Sequence, residues 1–177
     1  MTSEREALLA ELLNEVYEKE NGFIPTPAYH PFHRICSWGA VEVLMISVDG
    51  KRVLLKYRDD LPFSGWHVVG GYVRPKETIQ MFADRTAKEE RADITGMINF
   101  RCIAICKWLH HPFSFPLCAL MVCNPLGDII ERDDLKWFHV DNLPLGRMIH
   151  KKHILYLEHY RDYFLKNQEH WCPVIGE

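Results

Sequence analysis

No stretch of this 177-residue sequence stays apolar long enough to span a bilayer. The charged opening segment, with Glu4, Arg5 and Glu6, has no room for the hydrophobic region of a secretion signal. These absences point to a cytoplasmic protein with no membrane partner. An excess of positive charge is also missing. The formal net charge is −3, which offers no basic field for nucleic acid. Six cysteines occur (Cys36, Cys102, Cys106, Cys118, Cys123 and Cys172), but never as CxxC. Several alternate with apolar residues as strand positions do, so reduced, buried thiols are expected rather than disulfides or zinc ligands. His150, His153, His159 and His170 share no metal-ligand spacing with a cysteine pair and are read as surface or interface residues.

What is present suits one compact core. Hydrophobic residues make up 47% of a chain that is large enough for a single domain and short for two. Ser3 and Glu6 form a capping-box signature. Leu8, Leu9, Leu12, Leu13 and Val16 follow at helical spacing until Asn21-Gly22, predicting an amphipathic N-terminal helix. Pro25, Pro27 and Pro31 then exclude regular structure, so residues 1–33 read as a helix and stiff linker, and 34–177 as the main domain. Such a helix has the role of covering apolar surface, on the core or on a second subunit in a homodimer.

The main domain opens with strand-forming residues from Arg34 to Val48, an Asp49-Gly50 hairpin turn and a returning strand from Val53 to Tyr57. Arg58, Asp59 and Asp60 are expected in a polar loop before Trp66, and His67 to Val69 in a short strand. Phe100 to Trp108 reads as a strand buried on both faces, running into His110 and His111. That histidine pair is either a plain polar loop or a source of a base or a substrate contact. Leu117 to Cys123 is another strand, with a turn at Asn124 to Gly127. An acidic loop from Ile130 to Asp134 leads into a strand ending in Trp137-Phe138. Asp141 to Pro144 predicts the start of a C-terminal helix reaching Lys166. The large aromatics Trp38, Trp66 and Trp108 suit either the core or stacking on a planar ligand.

The stretch from Gly70 to Asp93, GGYVRPKETIQMFADRTAKEERAD, concentrates the chemistry. Its glycines suit a tight strand exit, Pro75 a first helical turn, and Glu77 the positive end of a helix expected from Thr78 to Ala92. On a helical wheel Ile79, Phe82, Ala83, Thr86 and Ala87 form a core-facing stripe, and Glu90 falls about 20° from its reference. A carboxylate in such a stripe is costly unless a cation or hydrogen bonds compensate it. Glu89 and Arg85 share the flank beside it, where the plainest reading is a solvated i,i+4 pair.

Gly71, five residues, Glu77, seven residues, Arg85, then Ala87, Glu89 and Glu90 form a spacing that resembles the Nudix hydrolase box. Two positions depart from the pattern: Thr86 stands where most members carry glutamate, and Ala92-Asp93 where a glycine and an aliphatic residue are usual. The resemblance implies an α/β/α sandwich with a mixed β-sheet, here with an additional N-terminal helix. It implies a hydrolase of nucleoside diphosphate derivatives using Mg²⁺ or Mn²⁺ held by Glu89, Glu90 and the Gly70 carbonyl. Arg85 and Glu77 would orient those carboxylates, and Gly71 would lie against substrate. In the nucleotide-sugar branch, an arginine at the place of Arg58 helps neutralise the diphosphate. In the GDP-mannose hydrolases, an oxygen at the place of Glu131 completes the metal site and the next residue is a histidine base. Here that residue is Arg132, which is not a base at neutral pH. The GDP-mannose enzymes also lack an acid at the position of Thr86, which directs the reading to a nucleotide sugar with its base outside the box: His110, His111 or Glu131. The alternatives are an inactive Nudix domain that binds a nucleotide or a protein, and an interaction module whose charged helix is merely solvated.

Overall fold

The computed structural model describes residues 3–19, 39–60, 63–74, 76–90, 96–108, 117–148, 151–167 and 174–175. Eight strands form one sheet: β1 Gly39–Ile46, β2 Arg52–Asp60, β3 Phe63–His67, β4 Val69–Tyr72, β5 Gly96–Lys107, β6 Leu117–Leu126, β7 Leu135–His139 and β8 Val174–Ile175. The helices are α1 Ser3–Lys19, α2 Ile79–Glu90 and α3 Lys151–His159, the last running on through a π-helical turn to Asn167. None is long and apolar enough to cross a membrane.

Strand β1 is central. It pairs antiparallel with β2 and β4 and parallel with β6, which makes the sheet mixed. Period-2 alternation then divides its side chains between two cores. Val41, Val43 and Met45 join Phe82 and Ala83 of α2 on one face. Ala40 and Leu44 join Tyr156, Leu157 and Tyr160 of the C-terminal helix on the other. The result is the expected α/β/α sandwich.

Several local expectations change. The chain stays in β2 through Arg58 and Asp59, because Tyr57, Arg58 and Asp59 pair with Trp66, Gly65 and Ser64 of β3. Strand β6 continues through Asn124 to Leu126, held by β5, and the turn waits for Gly127 at φ 95°. Only the second half of β5 is buried on both faces; Ile98, Asn99 and Arg101 are exposed. No helix starts at Asp141; a 3₁₀ turn at Leu145–Arg147 comes first, and α3 begins at Lys151. His153 is buried rather than at the surface, and its Nδ1 accepts the Val68 amide at 3.0 Å. Cys106, Cys118 and Cys123 are buried free thiols and Cys102 is a half-buried one, as expected. Trp66 and Trp108 belong to the core. Helix α1 forms as expected, with Leu8, Leu9, Leu12 and Leu13 exposed. Cys36, Trp38, Pro75, His110, His111, His150, His170 and Cys172 lie outside the described residues.

Candidate active site

Strand β4 carries the chain out of the sheet into the loop that precedes α2. Gly70 and Gly71 are not the turn. They lie inside β4, opposite Glu42 and Val41, and the backbone reverses later, at Lys76 with φ 63°. Gly70 is required for space: a Cβ there would sit 2.2 Å from Glu42 Oε2 and 2.8 Å from the Val41 carbonyl. At Gly71 a Cβ would meet nothing within 4 Å. The Thr78 hydroxyl accepts the Met81 amide at 3.2 Å and caps α2, which brings one face of the helix back over the loop.

Arg85 organises that face. Its Nε and Nη2 donate to Glu77 Oε1 and Oε2 at 2.7 and 3.0 Å, a bidentate pair. Nη1 reaches Glu89 Oε2 at 3.1 Å, and Nη2 also donates to the Tyr72 carbonyl at 3.3 Å. One guanidinium therefore ties the end of β4, the loop and α2 together. The Glu77 side chain is only 8% exposed, so its charge needs this partner. Arg85, with the Arg74 amide at 2.8 Å from Oε2, holds the Glu77 carboxyl below the usual range, and Glu77 in turn raises Arg85. Glu89 is different. Its side chain is 53% exposed, with Arg74 Nη2 at 3.6 Å on its other oxygen, so it is oriented but still open to a ligand.

The structure brings Glu77, Arg85 and Glu89 into one network at the exit of β4. Glu90 closes α2, but its side chain lies outside the described part of the chain, as do His110 and His111. Glu131 is exposed on the turn before the Arg132–Leu135 bridge, with no hydrogen bond or ion pair to Glu77, Arg85 or Glu89. Arg58 is exposed on β2, paired across to Gly65. Thr86 is 3% exposed and its Oγ1 has no partner, so it faces the core and not the loop.

Two residues escaped the sequence reading. Arg74 holds Glu77 and Glu89 through its amide and its guanidinium, and its only signal was a cation within the loop. Glu42 sits on the other face of the sheet against Gly70; its signal was a lone carboxylate among the β-branched and apolar residues of β1.

No protein-family model and no curated protein sequence matches the chain. Solved structures do. A Nudix hydrolase from Nitrosomonas europaea superposes with a TM-score of 0.64 at 18% identity, over 82% of each chain. The fold is that of the Nudix hydrolases. An ADP-ribose pyrophosphatase from Streptococcus suis aligns with a TM-score of 0.54 at 20% identity, over 79% of this chain and all of the other. A UDP-X diphosphatase covers 98% of this chain and 89% of its own, with a TM-score of 0.57 and 15% identity. In this Nudix fold the network sits where β4 passes into α2. Among the described residues no three histidine, cysteine or acidic side chains cluster for a metal. The donors at the loop are nonetheless hard oxygens, the open Glu89 carboxylate and backbone carbonyls, and this set suits Mg²⁺ or Mn²⁺ rather than a soft metal.

Proposed function

We propose that the protein is a divalent-metal-dependent Nudix hydrolase of a nucleoside diphosphate linked to another moiety, with a nucleotide sugar such as GDP-mannose as the substrate class. The observation that carries this reading is the Arg85 clamp, which holds Glu77 by two bonds and presents Glu89 at the surface. An exposed i,i+4 pair alone contributes little and explains nothing about Glu77. A clamp spanning strand, loop and helix is what a carboxylate held ready for a cation requires.

Glu89, Glu90, the Gly70 carbonyl and, from the acidic turn, Glu131 would hold Mg²⁺ or Mn²⁺, which supplies positive charge to phosphoryl oxygens and lowers the pKa of water. The chain's own residues do the rest. Arg85 and Glu77 orient Glu89, while Gly71 leaves room beside β4 for substrate. Arg58 meets diphosphate charge, and His110, His111 or Glu131 takes the proton from water. Thr86 takes no part, because its hydroxyl is sealed in the core and far too weak a base. That same burial favours the second reading, a Nudix domain that binds a nucleotide or a protein without turnover. The assignment of 1–33 as an appendage to the 34–177 domain, a homodimer built through α1 and a cytoplasmic location complete the proposal.

The decisive test is product release from nucleotide sugars, dinucleotides and nucleoside triphosphates with Mg²⁺, comparing wild type with Glu90→Gln. Turnover of one class, reduced at least about 100-fold in the variant, is the expected result. Sugar or sugar phosphate among the products identifies the bond broken. Metal-dependent binding with no product from any class would replace the hydrolase with the binding domain.

A further inference from the structure

Glu42 carries a polar group that the fold leaves unanswered. Its Oε2 is sealed from solvent and has no hydrogen-bond partner, although the residue as a whole is only half-buried. Among the described residues no cation is paired with it. The carboxyl occupies the volume vacated by the missing side chain of Gly70, pressed against the backbone of β4. The neighbouring Tyr156 hydroxyl and Cys118 thiol are engaged with other groups. Trp108 Nε1 donates to the Tyr156 hydroxyl, and Tyr156 hydrogen-bonds the Cys118 thiol, which lies beside Glu42 on the next strand. A buried carboxyl without donors destabilises a fold, and an apolar residue on β1 would have continued the core formed by Ala40 and Leu44. The residue as a whole keeps partial exposure, which leaves a route for a donor from outside the chain.

Its position says which ligand brings that donor. Glu42 is the direct cross-strand partner of Gly70, the residue whose carbonyl is proposed to face the metal and diphosphate. A group attached to a diphosphate held there meets Glu42 if it runs along β4 on the side of the sheet away from α2, where the Glu42 carboxyl packs on Gly70. Resting on the function proposed above, we propose that Glu42 is a specificity-determining residue: its carboxyl accepts hydrogen bonds from the nucleoside attached to the diphosphate. Either a ribose hydroxyl or a base N–H supplies the donor. Inorganic polyphosphates have neither and gain nothing from Glu42.

Calorimetry with Mg²⁺ and uncleavable probes tests this. The probes are methylenediphosphonate, the methylene-bridged analogues of ADP, GDP and UDP, and their 2′-deoxy counterparts. Glu42→Leu should weaken the best nucleotide analogue at least about ten-fold while leaving methylenediphosphonate within about two-fold. Glu42→Gln, which keeps an acceptor oxygen, should recover part of the loss. Without ligand, both variants should melt no lower than wild type, which separates lost recognition from lost folding. If the 2′-deoxy analogue binds wild type as weakly as the ribose form binds Glu42→Leu, the donor is the 2′-hydroxyl; if it remains sensitive to the substitution, the donor is the 3′-hydroxyl or a base N–H. Equal loss for methylenediphosphonate and nucleotides, or no loss for either, overturns the role of Glu42 and leaves the hydrolase standing. Wild type that binds none of the probes overturns both.

Discussion

Glu77 and Glu42 are two buried carboxyls on either side of β4, and the protein treats them in opposite ways. Glu77 is met by two guanidinium nitrogens and a backbone amide, and its pKa falls. Among the described residues no donor or cation meets the Glu42 carboxyl, and burial pushes its pKa from 4.5 up to about 8. The first arrangement is finished within the chain; the second is finished only by something the chain lacks. A fold keeps a charge at low cost where it supplies the counter-charge, so an uncompensated carboxyl next to a candidate active site points to a ligand.

The comparison has a pH signature, and summed over its window it is the largest effect expected. Below pH 4.5 Glu42 is protonated whether the chain is folded or not. Between 4.5 and about 8 the folded state keeps the proton and the unfolded state releases it, so stability falls as pH rises; above about 8 no further loss follows. The slope approaches about 1.4 kcal/mol per pH unit. Glu77 works in the opposite sense: its contribution is present above its unfolded pKa and is lost as pH falls through its depressed folded one. Urea unfolding of the metal-free protein from pH 5 to 8, wild type against Glu42→Gln, should show a falling stability that the variant lacks. Parallel curves would mean that Glu42 is not buried as described.

Breaking the compensated side comes next in size. Arg85→Ala leaves the nearly buried Glu77 carboxylate without its bidentate partner and removes the guanidinium that lies 5.2 Å from the Phe82 ring centre. The expected loss is about 2–3 kcal/mol, read as a lower urea midpoint at pH 7. Arg85→Lys should recover less than half of it, because an ammonium cannot form both bonds to Glu77 and also reach Glu89. A loss no larger than that of an exposed ion pair would show that the clamp is ornamental.

How much of this was legible beforehand follows from the same contrast. The Arg85–Glu89 contact could be read because helical spacing dictates it, whereas Glu77 was joined to them only by the resemblance to the Nudix box, since its place in the loop before the helix fixes no contact. The β-branched residues Val41 and Val43 likewise foretold a strand, although not that their face would pack beneath α2. Glu42 could not be read, since its environment is assembled from β4, β6 and α3, and no local pattern encodes which strands adjoin. The purpose of Gly70 was hidden for the same reason: a glycine pair suggests a turn, whereas the space it leaves is filled from a strand about 30 residues earlier. His153 misled by its polarity, because its partner is a backbone amide from β4's approach. Strand ends at Asp60 and Leu126 ran past their turn-forming residues because neighbouring strands continued to pair with them.

Thr86 sharpens the contrast at the smallest scale. It stands within the box, yet its side chain points into the core beside Phe82 and Ala83, and its Oγ1 has no partner. Like Glu42 it is an unanswered polar group, but it is 3% exposed, whereas Glu42 as a whole is only half-buried. The two should therefore separate under substitution. Thr86→Val removes the orphaned hydroxyl and keeps the branched shape, so it should raise stability by about 1 kcal/mol with nucleotide binding unchanged. Glu42→Leu should also not lower stability, yet it should weaken nucleotide binding. A Thr86→Val protein that folds normally but loses affinity would mean that the hydroxyl turns outward when ligand binds, and that burial alone does not distinguish the two groups.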